Sequence, residues 1–131
     1  MAVVDTTNQV TVDTSKDNVV IMKLLETVPG GRTLDVSRPG ISALTVLQAG
    51  HVIIRETATG EFKALGLSSG SYETLPASHT YAGILTNSVL VSKPHAAIMT
   101  RGTVNESADL VPYAIPAAAK TALKVIQFTT E

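Results

Sequence analysis

The chain reads as a series of short stretches in which apolar and polar residues alternate, each one ended by glycine or proline. Arg32-Thr33-Leu34-Asp35-Val36 sets Leu34 and Val36 on one face, the two-residue period of a half-buried strand. Residues 18–25 (NVVIMKLL) form a continuous, partly β-branched apolar run, and Pro29-Gly30-Gly31 breaks it, so strand, turn and strand are predicted. Ser37-Arg38-Pro39-Gly40 is a second break, after which residues 41–48 (ISALTVLQ) lead into Ala49-Gly50-His51 and the main β region. There, Val52-Ile53-Ile54-Arg55-Glu56 and Glu61-Phe62-Lys63-Ala64-Leu65 flank Thr57-Ala58-Thr59-Gly60, a hairpin in which Gly60 supplies the positive φ of a short loop. Residues 66–80 (GLSSGSYETLPASHT) turn to Gly, Ser, Thr and Pro and are expected as an exposed loop.

Two further strands are predicted at residues 81–90 (YAGILTNSVL) and 95–104 (HAAIMTRGTV), with a turn at Ser92-Lys93-Pro94 between them. Gly83 inside the first of them suggests a bulge or a close backbone approach. Pro116 at a first helical position, followed by AAAKTALKV, predicts one short helix, and Ile126-Gln127-Phe128-Thr129 returns to β alternation. The expected class is therefore mainly β with one short helix near the C-terminus. Residues 1–17 (MAVVDTTNQVTVDTSKD) alternate briefly at Val10-Thr11-Val12 but hold too few large apolar groups for a core, so they read as an extended arm. The break near residue 40 is the expected junction between an N-terminal arm and extension, 1–40, and a β-rich body, 41–131. No fixed-period repeat is present.

Composition narrows the roles open to such a body. A chain of 131 residues has the size of one domain. Ten Lys and Arg against 11 Asp and Glu leave none of the positive excess that a phosphate backbone or an anionic membrane attracts, so neither nucleic acid nor membrane is expected as a partner. Cysteine is absent, which removes disulfides and thiolate metal sites from consideration. No apolar run reaches a membrane-spanning length, and MAVVDTTNQV lacks a signal peptide's basic and apolar regions, so a soluble, unprocessed chain is expected. Only 16% of residues are charged while 44% are hydrophobic, a surface too poor in charge for a free monomer; part of it is expected to be covered by other subunits.

Candidate chemistry is sparse. His51, His79 and His95 have no short ligand spacing, so they read as structural or solvated rather than metal-binding. Ser69, Ser71, Ser78 and Ser107 lack a nucleophile-elbow context and read as loop serines. Glu56 and Glu61 flank the hairpin turn beside Arg55 and Lys63, which makes a charged hairpin tip the simpler account than a catalytic carboxylate pair. Gly30-Gly31-Arg32 is followed by a strand pattern, whereas a phosphate cradle requires a helix N-terminus, so a turn is preferred. Asn105-Glu106-Ser107 matches a glycosylation sequon by chance. The alanine-rich helix is short and carries only Lys120 and Lys124, so it reads as packed on the sheet rather than on a membrane. No enzyme activity, cofactor or metal is expected.

One ordered set of motifs extends this picture. Ala49-Gly50 opening a strand, Thr59-Gly60 in a hairpin, Phe62-Lys63-Ala64-Leu65, a polar loop, Ala82-Gly83-Ile84-Leu85, Arg101-Gly102-Thr103-Val104, and a helix then strand from Pro116 onward follow one another over residues 40–129. In order and spacing this resembles the lambda-type head decoration proteins of tailed bacteriophages. The 40 residues before it exceed that family's short arm, and the capsid head fibre proteins, or their capsid-attached bases, are similar as well. The resemblance implies a small β-barrel or β-tulip-like body with an extended N-terminal arm, assembled as a homotrimer. It implies a structural virion protein, made in the host bacterial cytoplasm, that sits on the capsid exterior and stabilises it. Its partners would be the major capsid protein and, for a fibre base, other head fibre proteins. Val3, Val4, Val10 and Val12 are then the arm residues expected to contact the capsid by strand addition, and Gly50, Gly60 and Gly83 are structural turn positions. A small ligand-binding β-barrel and a surface-attaching fibre module are the competing readings. The few aromatics, Phe62, Phe128, Tyr72, Tyr81 and Tyr113, weigh against a sugar-stacking fibre.

Overall fold

A computed structural model of the chain describes residues 17–107 and 111–130. The arm positions Val3, Val4, Val10 and Val12 lie outside the described residues. In chain order the elements are α1 (Asp17–Val20), β1 (Ile21–Thr27), β2 (Arg32–Thr33), β3 (Val46–Leu47), β4 (Val52–Glu56), β5 (Phe62–Ala64) and β6 (Leu67–Ser68). They continue with β7 (Ser71–Tyr72), β8 (His79–Leu85), β9 (Val89–Leu90), β10 (His95–Ala96), β11 (Ile98–Asn105), α2 (Ala117–Ala122) and β12 (Ile126–Thr129). The mainly β class is what the alternation predicts.

Six strands form one sheet in the order β1-β11-β8-β4-β5, with β12 joining β11 in parallel alongside β8. Its two halves are buried differently from a one-sided sheet. Val52 and Ile54 point into one hydrophobic cluster with Ile84, Met99 and Val104, whereas Ile53 points into a second with Ala64, Leu85 and Ile98. A strand covered on both faces has no polar side to show, which is why Val52-Ile53-Ile54 is continuously apolar and fully buried. The first cluster is closed by α2 through Ala119 and by Val111, Ile115 and Leu123. The second is closed by small ribbons, β2 with β10 and β3 with β9, through Leu47, Val89 and Ala96, and by Leu34 and Ile41 from the intervening segment.

The sheets do not close into a barrel: β1 and β5 remain at opposite ends of the main sheet. Residues 17–40, which the sequence assigns to the extension, are woven into the body, since β1 pairs with β11, β2 pairs with β10 and Val20 is buried in the first cluster. The apolar run at residues 18–25 is not all strand; it begins as the single turn α1, and pairing starts at Ile21. Residues 81–90 and 95–104 each divide between two sheets, because Thr86-Asn87-Ser88 and Ala97 step out of the ladder and pass the chain from the main sheet to a ribbon. The loop at 66–80 is not wholly exposed either. It folds into the β6–β7 hairpin and turns Tyr72 inward, where its hydroxyl accepts a hydrogen bond from the Val52 N–H at 3.1 Å.

The three glycines singled out from sequence occupy demanding positions. Gly60 takes φ +74° at the end of the β4–β5 turn and donates its N–H to the Glu56 carbonyl. Gly50 takes φ +95°, and a β-carbon there would stand 2.8 Å from Val20 Cγ1. At Gly83 the β4–β8 register slips between Ile53 and Ile54, leaving Ala82 as the extra residue of a bulge, and a β-carbon would collide with the Met99 carbonyl oxygen of β11. Bulge and close backbone approach coincide at this one residue.

Candidate functional site

The surface with the clearest mismatch between chemistry and burial is the outer strand β1. It pairs with β11 on one side, and among the described residues its other edge has no partner strand. Its sequence, IMKLLET, is apolar without alternating, and pairing with β11 is interrupted by register shifts at Ile21/Lys23, Leu24/Glu26 and Glu26/Thr27. Irregularities of this kind rotate successive side chains away from strict in-and-out order. Consequently Met22 (43% exposed), Leu24 (49%) and Leu25 (52%) all reach the surface, next to Val19 on α1. Met22 lies across the end of β12, its Sδ 3.2 Å from the Thr129 hydroxyl. An unpaired edge offers a row of backbone donors and acceptors, and here apolar side chains flank that row, the combination needed for strand addition by another chain.

The start of β1 is fixed to the body. The Asp17 carboxylate accepts from the Ser88 N–H at 2.9 Å and lies 2.8 Å from the Ser88 hydroxyl. Ser88 Oγ in turn accepts from the Ala49 N–H at 3.1 Å and lies 3.0 Å from Gln48 Oε1.

The remaining candidates take structural roles. His51 is buried, with Nε2 2.9 Å from the Leu65 carbonyl, and its ring meets Tyr72 and Tyr113 edge-on at 5.1 and 5.9 Å. Burial pulls its pKa down to about 4, with the Leu65 hydrogen bond opposing the shift, so it is a neutral imidazole at pH 7. Burial raises the Tyr72 pKa well above the ordinary phenol value and keeps it protonated. His79 and His95 stand apart from His51 and from each other, on β8 and β10.

At the hairpin tip, Glu56 accepts from the Thr59 hydroxyl at 3.0 Å and pairs with Lys63 at 3.3 Å, and these contacts, the Thr59 bond first, hold its pKa below the ordinary value. It is a charged tip, as the sequence suggests. Gly30 and Gly31 take φ +76° and +69° in the β1–β2 turn, and Arg32 Nη1 folds back to donate to the Pro29 and Gly31 carbonyls. Ser69 and Ser78 are the two non-glycine residues with positive φ among those described, both in turns.

Sequence reasoning expected capsid contacts in the arm, at Val3, Val4, Val10 and Val12, which lie outside the described residues, and did not single out the exposed apolar side chains of β1. The signal was present in the adjacent pair Leu24-Leu25 within a short strand, which leaves one of the two outside any one-sided core. Compared with known proteins, the chain matches no family model, no curated protein and no solved structure.

Proposed function

We propose that this chain is a non-enzymatic structural protein of a phage virion, one that binds the capsid exterior as a homotrimer and braces it. The observation that carries the reading is the exposed apolar side chains on the open edge of β1, which follows the N-terminal arm in sequence after the single turn α1. In that reading the exposed Met22, Leu24 and Leu25 form the strip that pairs with a partner strand, and Val3, Val4, Val10 and Val12 add apolar residues N-terminal to it in the sequence. The major capsid protein is the proposed partner for that strip. The sparse charge of the chain, 16%, favours further subunit contacts. The ordered motifs of residues 49–104 supply the link to capsid decoration.

Co-sedimentation with capsids stripped of their decoration protein tests the reading directly. The full chain should pellet with capsids, and deletion of residues 1–16 should weaken binding about tenfold, about 1.4 kcal/mol, while leaving the body folded. Leu24→Lys together with Leu25→Glu should weaken it as well, because charge on the edge opposes strand addition. A full-length protein that sediments with no capsid, and a monomeric mass by light scattering at micromolar concentration, would refute the proposal.

A further inference from the structure

A cleft of about 580 Å³ opens at the end of β1 away from the arm, between that strand, the β1–β2 turn and the β4–β5 hairpin. That is within the ordinary size range of small-ligand sites, roughly 300–1,000 Å³. Two guanidinium groups share its wall: Arg32 and Arg55 stand 5.9 and 5.6 Å from the centroid of the same Phe62 ring. Neither forms an ion pair with a carboxylate among the described residues. Glu56 and Asp35 are already engaged, because Lys63 takes both. The pleat explains this separation: Lys63 and Glu56 lie on one face of the hairpin, and Phe62 and Arg55, a cross-strand pair, lie on the other. Like charges held near one ring repel each other, and an anion between them relieves the repulsion.

Arg32 is held in place, and Arg55 lies beside the hairpin turn. Arg32 donates to two carbonyls of its own turn, and Arg55 packs its guanidinium against Gly60, 3.1 Å from where a β-carbon would stand. A side chain fixed as Arg32 is loses little freedom when a ligand arrives. The rest of the wall is mixed. Hydroxyls come from Thr27, Thr80 and Thr100, Glu26 adds an acceptor to the lining, and Val28, Pro29 and Ala82 supply an apolar side.

The geometry points to a binding site for an acidic sugar, a monosaccharide unit carrying one carboxylate and several hydroxyls. Two arginines against one glutamate leave the lining with a single positive charge, which suits a monoanion better than a phosphate dianion. The planar fork of a guanidinium matches a carboxylate, the threonine hydroxyls match ring hydroxyls, and Glu26 accepts from one of them. An acidic peptide would instead face repulsion from Glu26 with no use for the hydroxyls. The cleft is chemically independent of strand addition at Met22, Leu24 and Leu25, so either site stands if the other fails.

Titration of the full chain with D-glucuronate, followed by amide chemical shifts, is the test, with D-glucose, acetate, inorganic phosphate and a glutamate-rich peptide as comparators. Glucuronate should shift the amides around Thr27, Arg55, Phe62 and Thr80 and bind about tenfold or more tightly than each comparator. Arg55→Gln and Arg32→Gln should each cost about tenfold or more, and Arg55→Lys should recover only part of the loss, since it restores charge without the fork. Melting curves of the variants guard against misfolding, and Thr74→Ala, outside the cleft, should bind as the parent does. Equal binding of acetate or phosphate would reduce the site to a simple anion trap and overturn the proposal. Tighter binding of the peptide, equal binding of glucose, or undiminished binding in the folded Gln variants would overturn it too.

Discussion

Lowering the pH should destabilise this protein well before its carboxylates titrate, and His51 is the cause. In the unfolded chain the imidazole takes up a proton near pH 6.5, whereas in the folded chain burial delays that step to about 4. Between those values the unfolded state binds a proton that the folded state refuses, so stability is fully present above about 6.5 and falls as the pH drops. A gap of this size corresponds to a limiting loss of about 3 kcal/mol, and about 2.5 kcal/mol of it should appear between about pH 7.5 and pH 4.5. For a domain of this length that is a fall in Tm of about 10 °C. The rings of Tyr72 and Tyr113 offer the cation no hydrogen-bonding carboxylate, which is why the cost is not recovered inside the fold. Urea unfolding at closely spaced pH values gives the profile, and His51→Gln isolates the group, because the amide still reaches the Leu65 carbonyl but does not titrate. Asp35, whose carboxylate is held below its usual range chiefly by hydrogen bonding from Ser37, loses its contribution only at lower pH and does not interfere. If parent and His51→Gln lose equal stability between about pH 6.5 and pH 4.5, the assignment of the buried imidazole is wrong.

Three other outcomes follow from the packing. Gly60→Val should cost about 1 to 3 kcal/mol in urea unfolding, since a β-branched residue is strained at φ +74° and the new side chain meets the Arg55 guanidinium. Gly83→Ala should cost about 3 kcal/mol or more, because β8 and β11 must separate to admit the methyl group at the Met99 carbonyl; an unchanged Tm would sink the bulge geometry. Ser88→Ala should destabilise the body by about 1 to 3 kcal/mol by leaving the Asp17 carboxylate without its hydroxyl partner, and hydrogen exchange should show the loosening concentrated in α1 and the start of β1.

Local chemistry was legible wherever one residue decides a turn. Thr59-Gly60 between two β-branched or alternating runs fixes the hairpin, and Pro116 before an alanine-rich stretch fixes the helix, although the proline sits at the N-cap rather than inside the first turn. What the sequence hid is two-sided burial. Val52-Ile53-Ile54 has no period, so nothing in it tells that its odd and even members feed separate clusters closed by different parts of the chain. For the same reason the length of the strands beyond Thr86 and before Ile98 was over-read, since a step between two sheets leaves no break in hydrophobicity. Tyr72 escaped notice because its neighbours, Ser71 and Glu73, are polar, and only the buried His51 explains why the ring turns inward. The cleft was invisible on its own terms: Arg32, Arg55 and Phe62 come from three strands, and their meeting depends on register that composition does not carry.

An open sheet has two ends, and this chain treats them oppositely. Beyond β5 the segment around Asp35 closes the edge: the Asp35 N–H donates to the Phe62 carbonyl at 2.9 Å, its carbonyl accepts from the Ala64 N–H at 3.3 Å, and its side chain joins Lys63. That edge has no room for another strand. Beyond β1 no described segment performs the same service, and exposed Met22, Leu24 and Leu25 stand there beside the exposed Lys23 and Glu26. Lys23 alone is basic within the strand. A sheet that needed merely to avoid aggregation would guard both ends alike, since an unguarded apolar edge is a hazard to any free subunit. Covering one end and leaving three apolar side chains exposed at the other supports the strand addition proposed above. Charging that edge while leaving the β5 end untouched should therefore raise the solubility of the free protein and remove the capsid binding proposed above in the same variant.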